Sequence, residues 1–296
     1  MKKSRVVVFG GAGFLGSHVA DKLLSYGHEV SVFDLAPSAY ASREMETIQG
    51  DILNRDSVER AVAGAAAVYN FAGHADLDSA STDPVRTTEL NLIGNLNIIE
   101  ACVKAGVQHF VYASTIYVFS ESGGFYRCSK QAAEIYIEEY NRKYGLAYTI
   151  LRYGSLYGPR ADERNSIYRY IQQAMNESRI VINGKGDEIR EYIHVRDAAK
   201  VSARVLEPEY RNKRFVITGH QALPVQHMLE MIREILGKPV ELIFDPKPDS
   251  DHYKITPYSF VPKVGEKFAP DIFTDMGQGL IECMADMSER GAIQKV

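Results

Sequence analysis

The feature that most constrains the fold is a short apolar run that leads directly into a glycine-rich turn. Residues 6–9 are apolar and mostly β-branched, which is typical of a central parallel strand buried on both faces. Gly10, Gly13 and Gly16 follow as GxxGxxG, and residues 14–26 carry apolar positions at helical spacing. This order predicts a βαβ unit in which the helix N-terminus can bind a pyrophosphate.

The same alternation continues through the first half of the chain. Gly27 can end the first helix, and strands and helices are then predicted in turn. The predicted strands are 29–33, 46–49, 67–71, 109–113 and 148–151, and the predicted helices are 56–63, 86–105 and 127–144. Such alternation predicts an α/β fold with a doubly wound parallel sheet of the Rossmann type.

After Pro159 the rhythm changes. A helix is predicted at 167–177, followed by a turn at NGKG, the segment REYIHVRDAAKVSARVL and a proline-rich aromatic tail. We therefore expect a Rossmann domain over 1–160 and a smaller substrate lobe over 161–296, with the chain free to cross between them. The irregular stretch at 245–263 is expected to form either a substrate-covering loop or a disordered linker.

Charge and cysteine content narrow the class of ligand. The formal net charge is −4 and the sequence pI is about 6.1, with dispersed lysines and arginines, so no basic face for nucleic acid or anionic lipid is expected. The three cysteines form no CxxC pair, which argues against a zinc site and indicates free thiols in a reducing compartment. The first apolar run is too short for a signal peptide or a membrane span. We expect a cytoplasmic protein with a small-molecule ligand.

A carboxylate follows the second predicted strand. Asp34 lies about twenty residues beyond the glycine turn, where an acidic side chain can accept hydrogen bonds from both ribose hydroxyls of a dinucleotide. A 2′-phosphate would meet this carboxylate as a like charge, and Arg43 is too distant in sequence to compensate. The pattern therefore favours NAD as the cofactor. Asp51 can either bind the adenine amino group or cap the following helix.

A second set of polar residues has the pattern of a catalytic site. Tyr126 and Lys130 form YxxxK, which places phenol and ammonium on one helical face. A neighbouring ammonium and the positive nicotinamide ring of NAD both favour the phenolate, so the tyrosine can act as a base. Ser114 and Thr115 follow a predicted strand at the sheet edge where such folds bind ligands.

Together these motifs resemble one known family. The segments GGAGFLG at 10–16, NFAG at 70–73, NLIGNLNIIEAC at 91–102, LRYGSLYGPR at 151–160 and REYIHVRD at 190–197 join Asp34, the Gly50-Asp51 pair, the Ser114-Thr115 pair and YRCSK. In this order they resemble the extended short-chain dehydrogenase/reductases, specifically the NAD-dependent nucleotide-sugar epimerase/dehydratase family. The resemblance covers about the first 200 residues.

The resemblance implies a role for each matched residue. Tyr126 would be the catalytic base, Lys130 would bind the nicotinamide ribose, and Thr115 rather than Ser114 would be their hydroxyl partner. His74, Thr115, Ser155, Arg190 and Lys254 are the expected substrate contacts. The expected cofactor contacts are Gly10, Gly13, Phe14, Leu15, Gly16, Asp34, Leu35, Asp51, Ile52, Phe71, Ala72, Gly73, Asn91, Ser114, Tyr126, Lys130, Tyr153 and Gly154.

Two of these assignments carry alternatives. Arg190 has a planar guanidinium that suits a diphosphate, but it can instead pair with Glu191 or Asp187 at the surface. Lys254 is proposed together with His252 and Tyr253 as a contact to the diphosphate or base, and simple loop packing is the alternative. His194 and Asp197 are expected to be structural.

The residues after Thr115 indicate which reaction the family resemblance implies. The 4,6-dehydratases carry an Asp-Glu pair there, and Ile116 and Tyr117 occupy these positions. The 3,5-epimerising reductases carry a cysteine directly after the hydroxyl residue, whereas Cys128 lies inside YRCSK and is expected to pack within its helix. A 4-epimerase is therefore favoured. A net dehydrogenase that releases a 4-keto sugar nucleotide and a non-catalytic NAD-sensing regulator stay as alternatives.

Three departures from the family pattern affect the substrate. The stretch between Thr115 and Tyr126 is shorter than usual, Ser155 stands where an asparagine is common, and the tail lacks the usual RxGD-like segment.

The helices at 86–105 and 127–144 carry more apolar residues than one buried face needs. We expect either a homodimer built through a four-helix bundle or coverage of this surface by the second lobe.

Overall fold

The computed structural model describes residues 3–245, 266–267 and 273–291. Its centre is an eight-stranded sheet in which every neighbouring pair is parallel, with the order β13-β10-β6-β5-β4-β1-β2-β3. Its strands are β1 Arg5–Phe9, β2 Glu29–Asp34, β3 Glu46–Gln49, β4 Ala67–Asn70, β5 His109–Thr115, β6 Ala147–Tyr153, β10 Lys213–Ile217 and β13 Glu266–Lys267. The predicted doubly wound fold is confirmed, and strand order reverses between β1 and β4.

Helices cover both faces of this sheet. The helices of the first half are α1 Phe14–Ser25, α2 Arg55–Val62, α3 Leu77–Thr82, α4 Pro84–Thr88, α5 Asn95–Ala105 and α6 Gly124–Tyr144. Residues 89–94 join α4 to α5 through a turn of π-helix, so the predicted helix at 86–105 contains one wide turn. Gly106 and Gly145 end α5 and α6 in the left-handed conformation, which glycine adopts without a Cβ clash.

Two hydrophobic cores enclose the sheet. One face packs Val8, Leu23 and Tyr69 with residues of α8, Val195–Arg204. The other face packs Phe9, Ile98 and Ile137 from β1, α5 and α6. Because both faces are covered, the central strands are mostly apolar, as residues 6–9 of β1 indicate.

The second half of the chain contributes to both lobes. The smaller lobe contains β7 Ser155–Tyr157, α7 Ser166–Glu177, β8 Arg179–Asn183, β9 Ile189–His194, β11 Ala222–Pro224, α9 Val225–Leu236, β12 Glu241–Asp245 and α10 Met276–Glu289. Its own core packs α7, α9 and α10 around Ile171, Met228 and Leu280. Between these elements α8 packs on α1, and β10 joins the edge of β6, so the chain crosses from one lobe to the other.

The three cysteines differ in their exposure to solvent. All three cysteines are free, with Cys102 and Cys283 buried and Cys128 exposed. The expectation that Cys128 packs within its helix is wrong, because residue 128 faces outward from α6. No helix in the part of the chain that the structure describes is long and apolar enough to cross a membrane.

Candidate active site at the carboxyl edge of the sheet

The glycine turn lies where β1 meets α1. Gly10 has φ +73°, and a Cβ there would lie 2.5 Å from the backbone nitrogen of Ala72. A Cβ on Gly16 would overlap the carbonyl oxygen of Gly10. Gly13 precedes the first residue of α1, and Phe14 and Leu15 form its first turn, so unpaired N–H groups of the helix face the turn. The turn is therefore a backbone cradle that side chains would fill.

Asp34 lies beside this cradle at the end of β2. One carboxylate oxygen accepts the N–H of Ala12 at 2.9 Å, and the other accepts the N–H of Leu35 at 2.8 Å. The Leu35 side chain is exposed next to it. The carboxylate is thus fixed by two backbone donors and keeps further lone pairs for a ligand.

Asp51 and Ile52 follow β3. The Asp51 carboxylate accepts the N–H of Leu53 at 2.9 Å, whereas the N-cap of α2 is Asn54, which accepts the N–H of Ser57. The alternative in which Asp51 caps this helix is therefore wrong. Ile52 is buried against Gly94.

Asn91 connects three segments near the end of β4. It lies in the π-helical turn, accepts the N–H of His74 at 2.7 Å, and donates to the His74 carbonyl at 2.9 Å and the Ser129 hydroxyl at 3.0 Å. A Cβ on Gly73 would overlap its amide oxygen. Phe71 stacks on Tyr69 with ring centroids 5.9 Å apart, and the Ala72 N–H donates to the Asn70 side-chain oxygen at 3.0 Å. These contacts shape the turn after β4 around Asn91.

The His74 ring is held by two hydroxyl groups. Nδ1 lies 2.9 Å from Thr87 Oγ1, and Nε2 lies 2.7 Å from Ser79 Oγ. Both ring nitrogens therefore have protein partners, and the ring is fixed near the first turns of α3 and α4.

Thr115, Tyr126 and Lys130 meet at the carboxyl end of β5. The Thr115 hydroxyl lies close enough to the Tyr126 phenol to lower the pKa of that phenol, and it accepts the N–H of Tyr117 at 3.2 Å. Lys130 Nζ donates to the Ala113 carbonyl at 2.9 Å and lies 5.8 Å from the centre of the Tyr126 ring. Thr115 and Lys130 are buried. The structure therefore places the hydroxyl, the phenol and the ammonium in one corner.

Burial controls the titration of this corner. It raises the pKa of Tyr126 to about 12, against a smaller lowering by the Thr115 hydrogen bond. It also lowers the pKa of Lys130 to about 8, and the Glu134 carboxylate opposes that change. The expectation that the lysine favours the phenolate is not met by the protein groups alone, because desolvation is the larger effect.

Ser114 turns to the opposite side of β5 from Thr115. Its hydroxyl donates to Glu134 Oε1 at 2.5 Å, and Arg152 binds the same carboxylate with Nε at 3.0 Å and with a terminal nitrogen at 2.6 Å. The sequence motifs do not single out Glu134 or Arg152. The available signal was an acid four residues after Lys130 and an arginine one residue before Tyr153, both inside apolar patterns.

Tyr153 and Gly154 end β6 near this corner. The Tyr153 hydroxyl lies 2.6 Å from Ser202 Oγ, so it is turned into the core, and the ring is tilted against Phe71 with centroids 6.5 Å apart. Gly154 lies against Thr218, where a Cβ would be 2.6 Å from the Thr218 methyl group. The close approach of β10 explains the need for glycine at this position.

The positions that carry carboxylates in dehydratases are apolar here. Ile116 and Tyr117 are buried in a small cluster with Val216, and Leu77, Phe119 and Tyr126 pack against it. The Tyr117 ring meets the Tyr126 ring edge-on at 6.4 Å between centroids. The wall next to the phenol is therefore aromatic and aliphatic.

Ser155 and Arg190 lie on one face of a three-stranded sheet in the smaller lobe. Ser155 pairs with Tyr192 in the parallel register of β7 and β9, and Arg190 precedes Tyr192 by two residues. Glu191 points to the opposite face and accepts the Thr218 hydroxyl at 2.8 Å. A cleft lies beside this sheet and is lined by Tyr157, Tyr192, His194 and Phe273 among others.

The remaining candidates fall into two groups. His194 packs edge-on against Tyr157 with its Nε2 3.5 Å from Glu282, and Asp197 accepts the N–H of Thr274 at 2.5 Å, which are structural contacts. His252, Tyr253 and Lys254 lie outside the described residues.

The part of the chain that contains these motifs matches a known protein family. The model of the NAD dependent epimerase/dehydratase family matches residues 6–218. A putative UDP-glucose 4-epimerase of Methanocaldococcus jannaschii is 28% identical over 271 residues, covering 84% of this chain and 88% of the relative.

Two solved structures have a similar fold. A UDP-glucose 4-epimerase of Thermotoga maritima, solved with UDP-glucose, has a TM-score of 0.86 at 25% identity and covers 97% of this chain and 99% of its own. A UDP-glucose 4-epimerase of Thermus thermophilus in complex with NAD has a TM-score of 0.78 at 28% identity, with 98% and 100% covered.

Proposed function

The chain belongs to the NAD-dependent epimerase/dehydratase family and is an NAD-dependent enzyme of nucleotide-sugar chemistry, and on that premise we propose that it is a nucleotide-sugar 4-epimerase. The observation that carries the proposal is the corner at the end of β5. A hydroxyl, a phenol and an ammonium converge there, while the positions needed to eliminate water hold Ile116 and Tyr117. We further propose that the substrate is a nucleoside-diphosphate sugar oxidised at carbon 4.

The residues at the edge of the sheet fit NAD. The cradle of Gly10, Gly13 and Gly16 leaves space that a Cβ would fill, and the N-terminus of α1 would meet the pyrophosphate there. Asp34 would accept hydrogen bonds from the adenosine ribose, and its negative charge disfavours a 2′-phosphate. Lys130 would bind the nicotinamide ribose. Bound NAD supplies a reversible acceptor for the hydride of a secondary alcohol.

Side chains of the protein accept and return the hydroxyl proton of the sugar. Tyr126 accepts the proton of the sugar hydroxyl at carbon 4, and Thr115 holds the same oxygen by a hydrogen bond. Lys130 holds a positive charge close to the phenol, which favours the phenolate in the loaded site. Inversion at carbon 4 requires the 4-keto sugar to present its other face before the hydride returns.

The same wall separates this proposal from a dehydratase. Elimination of water in the dehydratases uses a carboxyl pair after the threonine, and Ile116 and Tyr117 supply no carboxyl group there. The aromatic lining instead packs against apolar faces of a sugar ring. We propose that Ser155 and Arg190, on one face of the smaller sheet, contact the diphosphate, with Lys254 as a further contact.

We also propose that the enzyme is a homodimer. Ile93, Ile135 and Tyr136 are exposed on the surface of the π-helical turn and α6. The second lobe therefore leaves these apolar side chains uncovered, and a helix pair from a second copy would bury them. The cytoplasmic location stays a prediction, and from the family resemblance we add a proposed role in polysaccharide biosynthesis.

A panel of UDP-, GDP-, dTDP- and CDP-sugars tests the function. We expect one or more sugars to be converted to the 4-epimer with no net formation of NADH, with products identified by chromatography and NMR. Accumulation of NADH in proportion to substrate would instead support the net dehydrogenase. Loss of water from the substrate would refute the 4-epimerase and support a dehydratase.

The Tyr126→Phe variant tests the mechanism. Removal of the phenolic oxygen is expected to lower kcat by about 10²–10⁴-fold, the usual contribution of a general base. Tyr144→Phe, at the exposed end of the same helix, is the matched control and should turn over as the wild type does. Undiminished turnover in Tyr126→Phe would refute the assigned base.

A further inference from the structure

Three residues spaced by four lie along one face of α6. Tyr126 and Lys130 are followed by Glu134, and one helical face therefore carries the phenol, the ammonium and a carboxylate in line. Lys130 and Glu134 are both buried. The third member of this line has no role in the reaction described above.

Glu134 is held from two neighbouring strands. It accepts hydrogen bonds from Ser114 of β5 and from two nitrogens of Arg152 of β6, and the side chains of Glu134 and Arg152 are 7% and 8% exposed. The Arg152 guanidinium also lies over the Phe119 ring at 4.6 Å. A bidentate pair of this kind fixes both partners in one geometry.

The strand register places this pair next to the reacting groups. Ser114 and Arg152 face each other across β5 and β6, and the next register pair is Thr115 with Tyr153. The Glu134 carboxylate therefore fastens the helix that carries Tyr126 and Lys130 to the strand that carries Thr115. A shift of α6 along β5 would move the Tyr126 phenol away from the Thr115 hydroxyl.

Three elements supply the polar, aromatic and charged groups around the Lys130 ammonium. Strand β5 supplies the Ala113 carbonyl and the Tyr112 ring, whose centre lies 4.8 Å from Nζ. Helix α6 supplies Tyr126 and Glu134, and β6 supplies Arg152 on the far side of the carboxylate. Burial lowers the pKa of Lys130, and Glu134 raises it. Glu134 is thus the anion that offsets the desolvation of the ammonium.

We propose that Glu134 is a positioning residue of the catalytic corner, which locks α6 to β5 and β6 through Ser114 and Arg152 and keeps the Lys130 side chain protonated. Its effect on turnover rests on the proposed function of Tyr126 and Lys130, whereas its effect on the lysine does not. A buried ion pair is costly to form and contributes little net stability over apolar packing. Its value here is the charge and the alignment that it gives to the reacting groups.

The test follows Lys130 directly. The full chain is prepared with ¹³C-labelled lysine Cε, the Lys130 signal is assigned by its loss in Lys130→Arg, and its titration is recorded by NMR without substrate. In Glu134→Gln we expect Lys130 to lose its proton at a pH about one unit lower than in the wild type, because an adjacent anion is removed. The alkaline limb of the pH profile of kcat should move by the same amount.

Glu138→Gln is the matched control. Glu138 lies one turn further along α6 and accepts Arg214 of β10 at 3.0 Å, so it also ties this helix to the sheet. It does not contribute to the pKa of Lys130. We expect the Lys130 titration and the kcat profile to stay as in the wild type.

A second variant covers misfolding of the first, since Glu134→Gln leaves a buried guanidinium without its anion. In Glu134→Gln/Arg152→Met both charges are gone, and Lys130 should titrate between the wild type and the single variant. A Lys130 titration equal to the wild type in these folded variants would overturn the proposal. Failure of the wild type to convert any nucleotide sugar would refute the 4-epimerase and leave the NMR result unaffected.

Discussion

Ser114 and Thr115 are adjacent hydroxyl residues with opposite partners. Neighbouring side chains in a strand point to opposite faces, so Thr115 meets Tyr126 while Ser114 meets Glu134. A one-residue slip of β5 would exchange the two and remove the hydroxyl from the phenol. Chemistry at this position therefore depends on strand register as much as on residue type.

Asp34→Asn tests cofactor choice at the level of one side chain. The amide keeps the shape of the side chain but loses the negative charge and replaces one of the two acceptor oxygens with an NH2 donor, both of which weaken binding to a ribose diol. We expect the Kd for NAD to rise on the order of tenfold to a hundredfold, because charge-assisted hydrogen bonds are lost, and NADP to be disfavoured less than before. Calorimetric titration with both nucleotides measures the ratio.

Asp56→Asn, on the exposed first turn of α2, is the control for Asp34→Asn and should bind both nucleotides as the wild type does. An unchanged NAD to NADP ratio in Asp34→Asn would refute the assigned ribose contact.

Single residues differ in how far the sequence reveals them. The Thr115, Tyr126 and Lys130 pattern is local enough to predict, because strand, hydroxyl and YxxxK are short-range signals. The high pKa of Tyr126 is not, since it results from burial by distant segments. The outward face of Cys128 and the pairing of Glu134 with Arg152 likewise depend on which helical face meets the sheet.

At the level of elements, the α1 helix and the π-helical turn shape the cofactor edge. A wide turn interrupts the continuous helix of α4 and α5, and it places Asn91 against both Gly73–His74 and Ser129. Such turns often occur at functional sites, because one extra residue redirects a side chain. The apolar pattern of 86–105 predicts the helix but contains no signal for the wide turn.

Gly16→Ala tests the packing of α1 on the glycine turn. Its Cβ would overlap the Gly10 carbonyl oxygen, so the helix must move from β1, at a cost of about 1–3 kcal/mol in the free energy of unfolding and with weaker NAD binding. Gly27→Ala, at φ +83° in open space, should cost about 1 kcal/mol and leave NAD binding unchanged. Urea unfolding and nucleotide titration of both variants give the comparison, and equal NAD affinities would contradict it.

At the scale of the whole molecule, several imidazoles lie in the interior of both lobes. Burial lowers the pKa of His18 and of His109 to about 4, and lowers that of His194. The unfolded chain binds protons near pH 6.5 that the folded chain does not bind. The stability that these groups contribute is present above about pH 6.5 and is lost as the pH falls towards 4.

His109→Gln tests this dependence. His109 Nε2 lies 2.8 Å from Thr149 Oγ1, and a glutamine amide can keep that hydrogen bond without titrating. The wild type should lose on the order of 3 kcal/mol more than the variant between pH 7.5 and 4. Urea unfolding at several pH values measures the difference. Parallel curves would show that His109 is not the responsible group.

Ile135→Glu tests the proposed dimer. Ile135 is 67% exposed on α6, and a carboxylate there would be buried without a partner in a helical interface. We expect a monomer by analytical ultracentrifugation. Ile281→Glu on exposed α10 is the control and should leave the mass unchanged. A monomeric wild type would refute the dimer.

The fold of the first half follows from its sequence more fully than that of the second. Buried parallel strands and glycine turns repeat with a clear period up to residue 153. After Pro159 strands and helices no longer alternate regularly, α9 and α10 are not evident from the tail, and β10 returns to the large sheet after β7, β8 and β9 have formed elsewhere. Such a return leaves no local pattern in the sequence.

The return of β10 to the large sheet constrains how such an enzyme can change its substrate. The segment that builds the smaller lobe also supplies a strand beside β6 and the helix packed on α1. Recombination at a single junction after residue 160 would import a foreign sheet edge together with a new substrate lobe. We therefore expect related enzymes to differ by gradual substitution within both lobes and not by exchange of the smaller lobe as a module.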